Sequence, residues 1–303
     1  MEANTAGASP MPAAEVDVSV DLVRELLAVQ HADLAALPLQ VLANGWDNLL
    51  CRLGDDLIVR LPRRAQAASL VADELRWLPA LAPRLPLPVP APVRAGLPGC
   101  GYPWHWSIVP FLPGEPAAIQ PPGDAGVAAV ALAEFLAALH TPADPEAPVK
   151  PYRSGPLAVR DELFGQAIRR LEGSIDTTAV TSAWASALAA PPWDGPPVWL
   201  HGDLHPANIL VDRRRISAVI DFGDITAGDP AADFGVAWML LTADARGTFR
   251  AAYAEASEHG LAEEMWTRGR GWALALALVF LAYSADNPMM AGIGERTLAA
   301  VLG

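Results

Sequence analysis

The segment from 198 to 235 constrains the fold and the chemistry of this chain more than any other. It contains two apolar runs, Ile209–Val211 and Ile216–Ile220, separated by four polar residues, which is the pattern of a β-hairpin. If the chain turns in the middle of these four residues, Asn208 falls opposite Asp221 or its neighbour. The sequence therefore predicts a hairpin whose open end carries an amide oxygen and a carboxylate.

A third oxygen-bearing side chain belongs to the same end of the predicted hairpin. Asp203 lies five residues before Asn208, on the loop that leads into the first strand. Mg²⁺ prefers oxygen ligands and keeps several waters, so Asn208 and Asp221 suit this cation. We therefore expect Mg²⁺ as a cofactor, with Asp203 facing the same space.

The motif in this segment consists of HGD at 201–203, Asn208, and DFG at 221–223. It resembles the catalytic and metal-binding loops of the eukaryotic-like kinases. The resemblance implies that Asp203 receives the proton of the substrate hydroxyl. It also implies that Asn208 and Asp221 hold Mg²⁺ on the nucleotide phosphates.

The sequence after the motif separates this chain from the protein kinases. From DFG it runs directly through DITAGDP into a helical pattern, without an activation segment or an APE triplet. The strings HGDLHPANIL, VIDFGD and GDPAADFG are similar to those of the aminoglycoside phosphotransferase family, which includes macrolide and other small-molecule kinases. The likeness extends over roughly residues 39 to 240. It implies transfer of the γ-phosphoryl group of ATP or GTP to a small-molecule hydroxyl, with an aminoglycoside as the first candidate acceptor.

The composition and hydrophobic pattern of the chain change near residue 112. The first part contains three β-compatible runs, Leu39–Ala43, Asn48–Leu53 and Leu57–Leu61. An amphipathic helix follows at Gln66–Leu78, and we expect Pro79 to help end it. Ala- and Leu-rich helical segments follow, with one short β insert among them: Gly126–His140, Leu157–Leu171, Ala231–Thr242 and Leu261–Tyr283. The pattern and the resemblance predict an α+β, bilobal, protein-kinase-like fold. A small antiparallel-sheet lobe would span 1–112, and a larger helical lobe would span 113–303.

The resemblance extends to a charged pair in the first lobe. Arg60 occupies the strand position where these kinases usually place Lys, and Glu74, 14 residues later, matches its ion-pair partner. An Arg in that position departs from the usual pattern. Because a guanidinium binds phosphate oxygens bidentately and stays charged, Arg60 remains a candidate for nucleotide binding.

Three further positions are candidates for nucleotide contact. The sequence GWDN at 45–48 resembles the family's nucleotide-covering turn, which makes Asn48 a candidate. The break at 110–114 matches the hinge between the lobes. Adenine recognition there needs one carbonyl and one N–H two residues later, which Pro110 and Leu112 can supply.

The charge of the chain bears on its partners. Its 303 residues carry a formal charge of −13, of which −3 falls within 1–112 and −10 within 113–303. This acidity argues against nucleic acid and anionic membranes as partners, because both repel carboxylates. A cationic small-molecule acceptor fits the acidic second lobe, where candidate carboxylates are Asp161, Glu162, Asp224, Glu263 and Glu264. The oligomeric state stays open.

Other features favour a cytoplasmic location. Cys51 and Cys100 are too few for a disulfide framework and lack metal-binding spacing, so we expect reduced thiols. The first residues lack the basic and apolar regions of an export signal. The apolar run 272–283 has 12 residues, too few for about 30 Å of bilayer core, and is expected to be a buried helix.

Several alternatives stay open. The acceptor could be a macrolide, or a metabolite such as a sugar or an amino alcohol, and the chain could be a nucleotide-binding pseudoenzyme. Asp229 and Asp233 could touch substrate, but Asp229 before Pro230 also has the pattern of a helix N-cap. His201 and His205 have HxxxH spacing, yet Pro206 disfavours the helix that such a metal site needs, so His201 is interpreted as bracing the loop.

Overall fold

The N-terminal part of the chain is a five-stranded antiparallel sheet with strand order β1-β2-β3-β5-β4. The computed structural model describes residues 14–45, 48–284 and 286–303. The strands are β1 (Leu39–Asn44), β2 (Asn48–Leu53), β3 (Leu57–Pro62), β4 (Arg94–Gly96) and β5 (Trp106–Pro110). The three runs predicted as strands before residue 62 are therefore confirmed.

Alternation along β2 gives this sheet one buried face. Leu49, Cys51 and Leu53 point into an apolar cluster and are at most 4% exposed. Helix α1 (Val20–Gln30), which the sequence analysis did not identify, packs Leu26 and Leu27 into the same cluster. The apolar face of the sheet is therefore covered by a helix that precedes it in the chain.

Helix α2 (Ala65–Leu81) contains Pro79 within it, so the expectation that Pro79 helps to end the helix near Leu78 is wrong. Proline removes one intrahelical hydrogen bond, here to the carbonyl of Leu75. Leu78 and Leu81 are nevertheless buried in the main core on either side of it. Burial of these two leucines favours continuing the helix for three further residues, to Leu81.

The C-terminal part is mainly helical, as predicted, and has a larger core. Its helices are α3 (Ala125–Leu139), α4 (Pro151–Ser154), α5 (Asp161–Arg170), α6 (Thr177–Leu188), α7 (Val236–Leu240), α8 (Ala243–Ala256), α9 (Glu263–Tyr283) and α10 (Pro288–Leu302). Helix α9 is buried on most sides and packs against α5, α6 and α10. This confirms that the apolar run 272–283 is a buried helix. Within the described ranges, no helix is long and apolar enough to cross a membrane.

Two small sheets, rather than the single β insert expected, lie among these helices. One pairs β7 (Val198–Leu200) with β10 (Thr226–Gly228), and the other has the order β6 (Glu115–Pro116), β8 (Ile209–Asp212), β9 (Arg215–Val219). The two-residue strand β6 was missed because its sequence is a Pro-rich break. The chain passes from the large sheet to these small sheets between β5 and β6, and the boundary proposed at residue 112 lies in that stretch.

The β8–β9 hairpin forms as predicted. Arg213 and Arg214 have φ of 47° and 65°, the left-handed conformation that tight hairpin turns require. Ile220 N–H donates to Asn208 C=O at 2.9 Å, so Asn208 lies opposite the residue before Asp221. The open end of the hairpin therefore carries both predicted metal-ligating side chains.

Candidate active site

A cavity of about 440 Å³ lies between the large sheet and the β8–β9 hairpin. Its walls include the apolar side chains of Leu50, Ile58, Val109, Leu210 and Ile220. Six residues singled out in the sequence line the same cavity: Asn48, Arg60, Pro110, Leu112, Asn208 and Asp221. The fold thus combines an apolar slot with polar groups from both lobes, which is the composition of a small-molecule site.

The backbone at the rim of the cavity leaves hydrogen-bonding groups available. Phe111 N–H donates to Asp56 C=O at 2.7 Å, so Leu57 and Pro110 form a non-hydrogen-bonded pair in the β3–β5 ladder. The carbonyl of Pro110 consequently points away from β3. Within the described residues, Leu112 N–H donates no hydrogen bond to a backbone carbonyl. One acceptor and one donor are therefore free at this rim.

Asn48 lies at another edge of the cavity. Gly45 N–H, after the end of β1, donates to Asn48 C=O at the start of β2 at 3.0 Å. The Oδ1 atom of Asn48 is buried and has no hydrogen-bond partner within the described residues. Trp46 and Asp47, which belong to the predicted nucleotide-covering turn, lie outside the described residues. An orphaned buried acceptor of this kind is costly unless a ligand or water satisfies it.

Arg60 and Glu74 form the ion pair predicted from the sequence. Arg60 Nη1 donates to Glu74 Oε1 at 2.8 Å, and the two residues are 8% and 1% exposed. Burial alone would lower the pKa of Arg60, but Glu74 and Asp221 outweigh this effect and raise it. Arg60 Nη2 also lies 3.7 Å from Asp221 Oδ1. A permanent positive charge from the first lobe therefore lies beside a carboxylate from the second at the edge of the cavity.

Substitutions at Arg60 separate charge from geometry. Arg60→Ala is expected to weaken nucleotide binding or turnover about tenfold or more, and Arg60→Lys to retain more activity because the charge survives. Arg60→Ala also leaves Glu74 buried without a partner, which is expected to cost about 3–5 kcal/mol of stability. Nucleotide titration and thermal unfolding of both variants measure these effects.

Arg63 provides the comparison for that experiment. It donates to Gly45 C=O at 3.0 Å and does not line the cavity. Arg63→Ala is expected to reduce nucleotide binding less than Arg60→Ala. A larger loss at Arg63 than at Arg60 would contradict the assignment of Arg60 to the phosphates.

Asp203 lies on the loop between β7 and β8, held by cationic and imidazole groups. Arg153 on α4 donates to its Oδ1, and His205 Nε2 lies 3.6 Å from its Oδ2. Burial would raise the pKa of Asp203, but Arg153, His205 and His201 outweigh it and hold the pKa well below its usual range. Asp203 is therefore a carboxylate at neutral pH, able to accept a hydrogen bond from a hydroxyl group.

Asn208 and Asp221 have the donor chemistry that a hard cation needs. Asn208 Nδ2 donates to the carbonyl of Asp203 at 3.0 Å, which leaves Oδ1 as the unused atom of the amide. Asp221 is in the left-handed region with φ of 65°, and its side chain is 57% exposed. Both residues line the cavity. An amide oxygen and a carboxylate at one edge, with room for water, fit Mg²⁺.

The loop that carries Asp203 is fixed by a carboxylate that was only an ambiguous candidate in the sequence. Asp233 is 1% exposed and accepts from the backbone N–H groups of His201 and Gly202 at 2.8 and 3.0 Å. Gly202 has φ of 82°, and a Cβ there would collide with the carbonyl oxygen of Asp224. By accepting these two hydrogen bonds, Asp233 therefore holds the backbone of the loop that carries Asp203.

Two further predictions about this region concern Asp229 and His201. Asp229 accepts from Ala231 N–H at 3.0 Å, as the N-cap pattern predicted, and also binds Arg268 through both oxygens. His201 accepts from Asp203 N–H at 3.2 Å, and its Nε2 contacts the carbonyl of Ile220 at 3.0 Å. His201 consequently braces the loop, as interpreted from the sequence.

Removal of Asp233 is expected to destabilise the protein. Asp233→Ala leaves two buried N–H groups without acceptors, so we expect a loss of about 2–4 kcal/mol in the free energy of unfolding. Chemical denaturation monitored by circular dichroism measures it. Glu134→Ala, an exposed position on α3, is the control and should change stability little. Equal stability of wild type and Asp233→Ala would refute this bracing role.

Comparison with known proteins decides the family. A sequence model described as the phosphotransferase enzyme family (APH) matches residues 38–272, more than half of the chain. The chain belongs to this family. The match to the family model extends to residue 272, whereas the resemblance seen in the sequence motifs ends near residue 240. Comparison with curated protein sequences gives no significant match.

Solved structures of phosphotransferases share the fold. The GDP complex of aminoglycoside 2'-phosphotransferase-IIIa has a TM-score of 0.66 at 20% identity, covering 92% of this chain and 97% of that one. The GDP and kanamycin complex of APH(2")-IIIa has a TM-score of 0.66 at 21% identity, covering 91% and 98%. Macrolide 2'-phosphotransferase MphH from Brachybacterium faecium has a TM-score of 0.62 at 26% identity, covering 93% and 97%. The kinase-like bilobal fold is thereby confirmed.

Two residues of this candidate site were missed in the sequence. Arg153 contacts Asp203 from 50 residues away in the chain. Lys150 donates from Nζ to Gly223 C=O at 2.7 Å and lies 2.9 Å from Asp73 on α2. Both come from the segment 142–156, whose Pro-rich composition indicates a loop and nothing more.

Proposed function

We propose that this phosphotransferase moves the γ-phosphoryl group of ATP or GTP to a hydroxyl group of a small molecule, with an aminoglycoside as the first candidate acceptor. The observation that carries the proposal is the position of Asp203. Asn208, which lines the cavity, donates to the backbone carbonyl of Asp203. A carboxylate able to orient an acceptor hydroxyl therefore adjoins a cavity suited to a nucleotide.

Each residue has a distinct role in this proposal. The rim formed by Pro110 and Leu112 would hold adenine or guanine, and Arg60, held by Glu74, would neutralise phosphate charge. Asn208 and Asp221 would hold Mg²⁺, which supplies charge stabilisation to the nucleotide phosphates when bound. Asp203 orients the acceptor hydroxyl and receives its proton. Catalysis then depends mostly on positioning and electrostatics, as in other phosphoryl transfers.

The structural neighbours support a nucleotide and a small-molecule acceptor. Two of them are described as GDP complexes, and one of these also contains kanamycin. Their identities to this chain are 20% and 21%. The acceptor of this chain is therefore proposed from its own site.

The charge of −10 carried by residues 113–303 supports a cationic acceptor. If the acceptor is a polyamine, its KM should rise steeply with salt, because ionic strength screens exposed charges over about 8 Å at 0.15 M. Steady-state kinetics between low and high salt, with thermal unfolding as the control for stability, measures this. A salt-insensitive KM would contradict the aminoglycoside assignment and leave phosphoryl transfer unaffected.

A macrolide is the second candidate, favoured by the partners of the acidic residues that the sequence analysis named as candidates for acceptor contact. Asp224 is bound by Arg153 at 2.7 Å, and Asp161 accepts from Trp184 Nε1 at 2.8 Å. Glu263 pairs with Arg250 at 2.5 Å. These carboxylates are already paired within the protein. A macrolide held mainly by burial of its apolar surface needs fewer unpaired carboxylates than a polycation does.

One panel separates the candidates. Nucleotide consumption is measured with ATP and with GTP, each in the presence of aminoglycosides, macrolides, sugars and amino alcohols. Turnover that depends on one acceptor class identifies it. Nucleotide binding without turnover on any acceptor would instead favour a pseudoenzyme.

A further inference from the structure

Arg153 lies between two carboxylates of the candidate site, those of Asp203 and Asp224. Its Nη1 donates to Asp203 Oδ1, and its Nη2 lies 2.7 Å from Asp224 Oδ2. The three side chains are between 21% and 29% exposed, so solvent reaches the cluster. A single guanidinium therefore bridges the candidate catalytic carboxylate and the carboxylate of Asp224.

A second guanidinium strengthens the positive charge at this place. Arg160 is 5% exposed, donates to the carbonyl of Tyr152 at 2.6 Å, and lies over the Trp272 ring at 5.3 Å. Burial and the charge of Arg153 lower the pKa of Arg160 to about 10, which leaves it protonated at neutral pH. Two positive charges consequently match the two carboxylates. An ammonium group brought beside Asp203 and Asp224 by an acceptor therefore meets carboxylates that already have a counter-ion.

The backbone around Arg153 is held by contacts that do not involve its side chain. Lys150 N–H donates to Thr226 Oγ1 at 2.9 Å, and Ala227 N–H donates to Pro148 C=O at 2.8 Å. Ser154 Oγ also contacts Thr226 Oγ1 at 3.1 Å. Replacing the Arg153 side chain should therefore leave α4 in place, which makes its charge experimentally separable from the fold.

We propose that Arg153 is a specificity-determining residue: its guanidinium takes the place beside Asp203 and Asp224 that an acceptor ammonium group would otherwise occupy. The site then selects acceptors whose reacting hydroxyl is flanked by uncharged groups, and a polycation is used only where its ammonium groups lie farther away. This inference rests on the proposed function for the identity of the reacting hydroxyl. The charge selection itself is a binding property.

The test compares a polycation with a neutral polyol of similar chemistry. Calorimetric titration of the full chain with kanamycin and with the neutral disaccharide trehalose is carried out for wild type, Arg153→Gln and Arg153→Lys. Arg153→Gln is expected to bind kanamycin about tenfold more tightly than wild type, because two partly buried carboxylates lose their counter-ion. Arg153→Lys keeps the charge and should remain near wild type. Trehalose binding should not change.

Controls make each outcome decisive. Arg94→Gln removes an exposed guanidinium from β4 and should leave kanamycin binding unchanged, which excludes an effect of net charge alone. Unaltered kanamycin affinity in a folded Arg153→Gln variant would overturn the inference, as would equal gains in Arg153→Gln and Arg153→Lys. Failure of wild type to phosphorylate any acceptor would refute the proposed function, yet the binding ratios would still decide the role of Arg153.

Discussion

Asp221→Asn is expected to abolish Mg²⁺-dependent nucleotide binding and turnover. The side chain of Asp221 lines the cavity beside Asn208 and contributes the only full negative charge of the proposed metal pair. Asn preserves the size of the side chain and tolerates the φ of 65° found at this position, so the change removes charge with little strain. Asp221→Ala should give the same loss with an added cost in stability. Calorimetry with ATP, with and without Mg²⁺, measures the effect.

The matched control for this change is Asp212→Asn. Asp212 lies at the opposite end of the same hairpin, with its side chain 49% exposed. Its substitution should leave Mg²⁺-nucleotide affinity unchanged. If Asp221→Asn bound Mg²⁺-nucleotide as tightly as wild type, the convergence of Asn208 and Asp221 on a cation would be wrong.

Asp203→Ala is expected to lower kcat by at least about 10²-fold, the lower range for loss of a positioned general base. Nucleotide affinity should change little, because Asp203 adjoins the cavity and does not appear among the residues that line it. Asp203→Asn should show a similar loss, since an amide cannot take up the hydroxyl proton. Steady-state kinetics and nucleotide titration on the same preparations separate the two quantities.

Asp244→Asn, an exposed position near the start of α8, serves as the comparison for Asp203. Its kcat should match that of wild type. Wild-type turnover in Asp203→Ala would remove Asp203 from the mechanism. A loss of nucleotide affinity equal to the loss in kcat would place Asp203 in the nucleotide site instead.

The parts of the site that follow from local sequence could be predicted. Asn208 and Asp221 are placed by one hairpin, whose register depends on two apolar runs and a short polar turn. Arg60 and Glu74 are placed by a strand followed by a helix, and the structure pairs them at 2.8 Å. The hairpin register brings Asn208 and Asp221 together, whereas the Arg60–Glu74 pair was predicted from the resemblance to kinases and not from spacing alone.

The parts that depend on tertiary packing could not be predicted. Arg153 reaches Asp203 because α4 packs against β10, an arrangement that no local pattern encodes. Asp233 binds the backbone of His201, so its role depends on the loop conformation and not on a side-chain motif. Pro79 was expected to help end α2, but burial of Leu81 outweighs the local preference of proline.

The most direct measurement of the central claim is the mass of the acceptor after reaction. The full chain is incubated with Mg²⁺ and ATP or GTP and with each acceptor class, in parallel with Asp203→Asn, and the acceptors are analysed by mass spectrometry. The proposal predicts that wild type adds one phosphoryl group to at least one hydroxyl-bearing small molecule and that Asp203→Asn adds none. Tight nucleotide binding with no modified acceptor among aminoglycosides, macrolides, sugars and amino alcohols would contradict it, as would equal modification by both proteins.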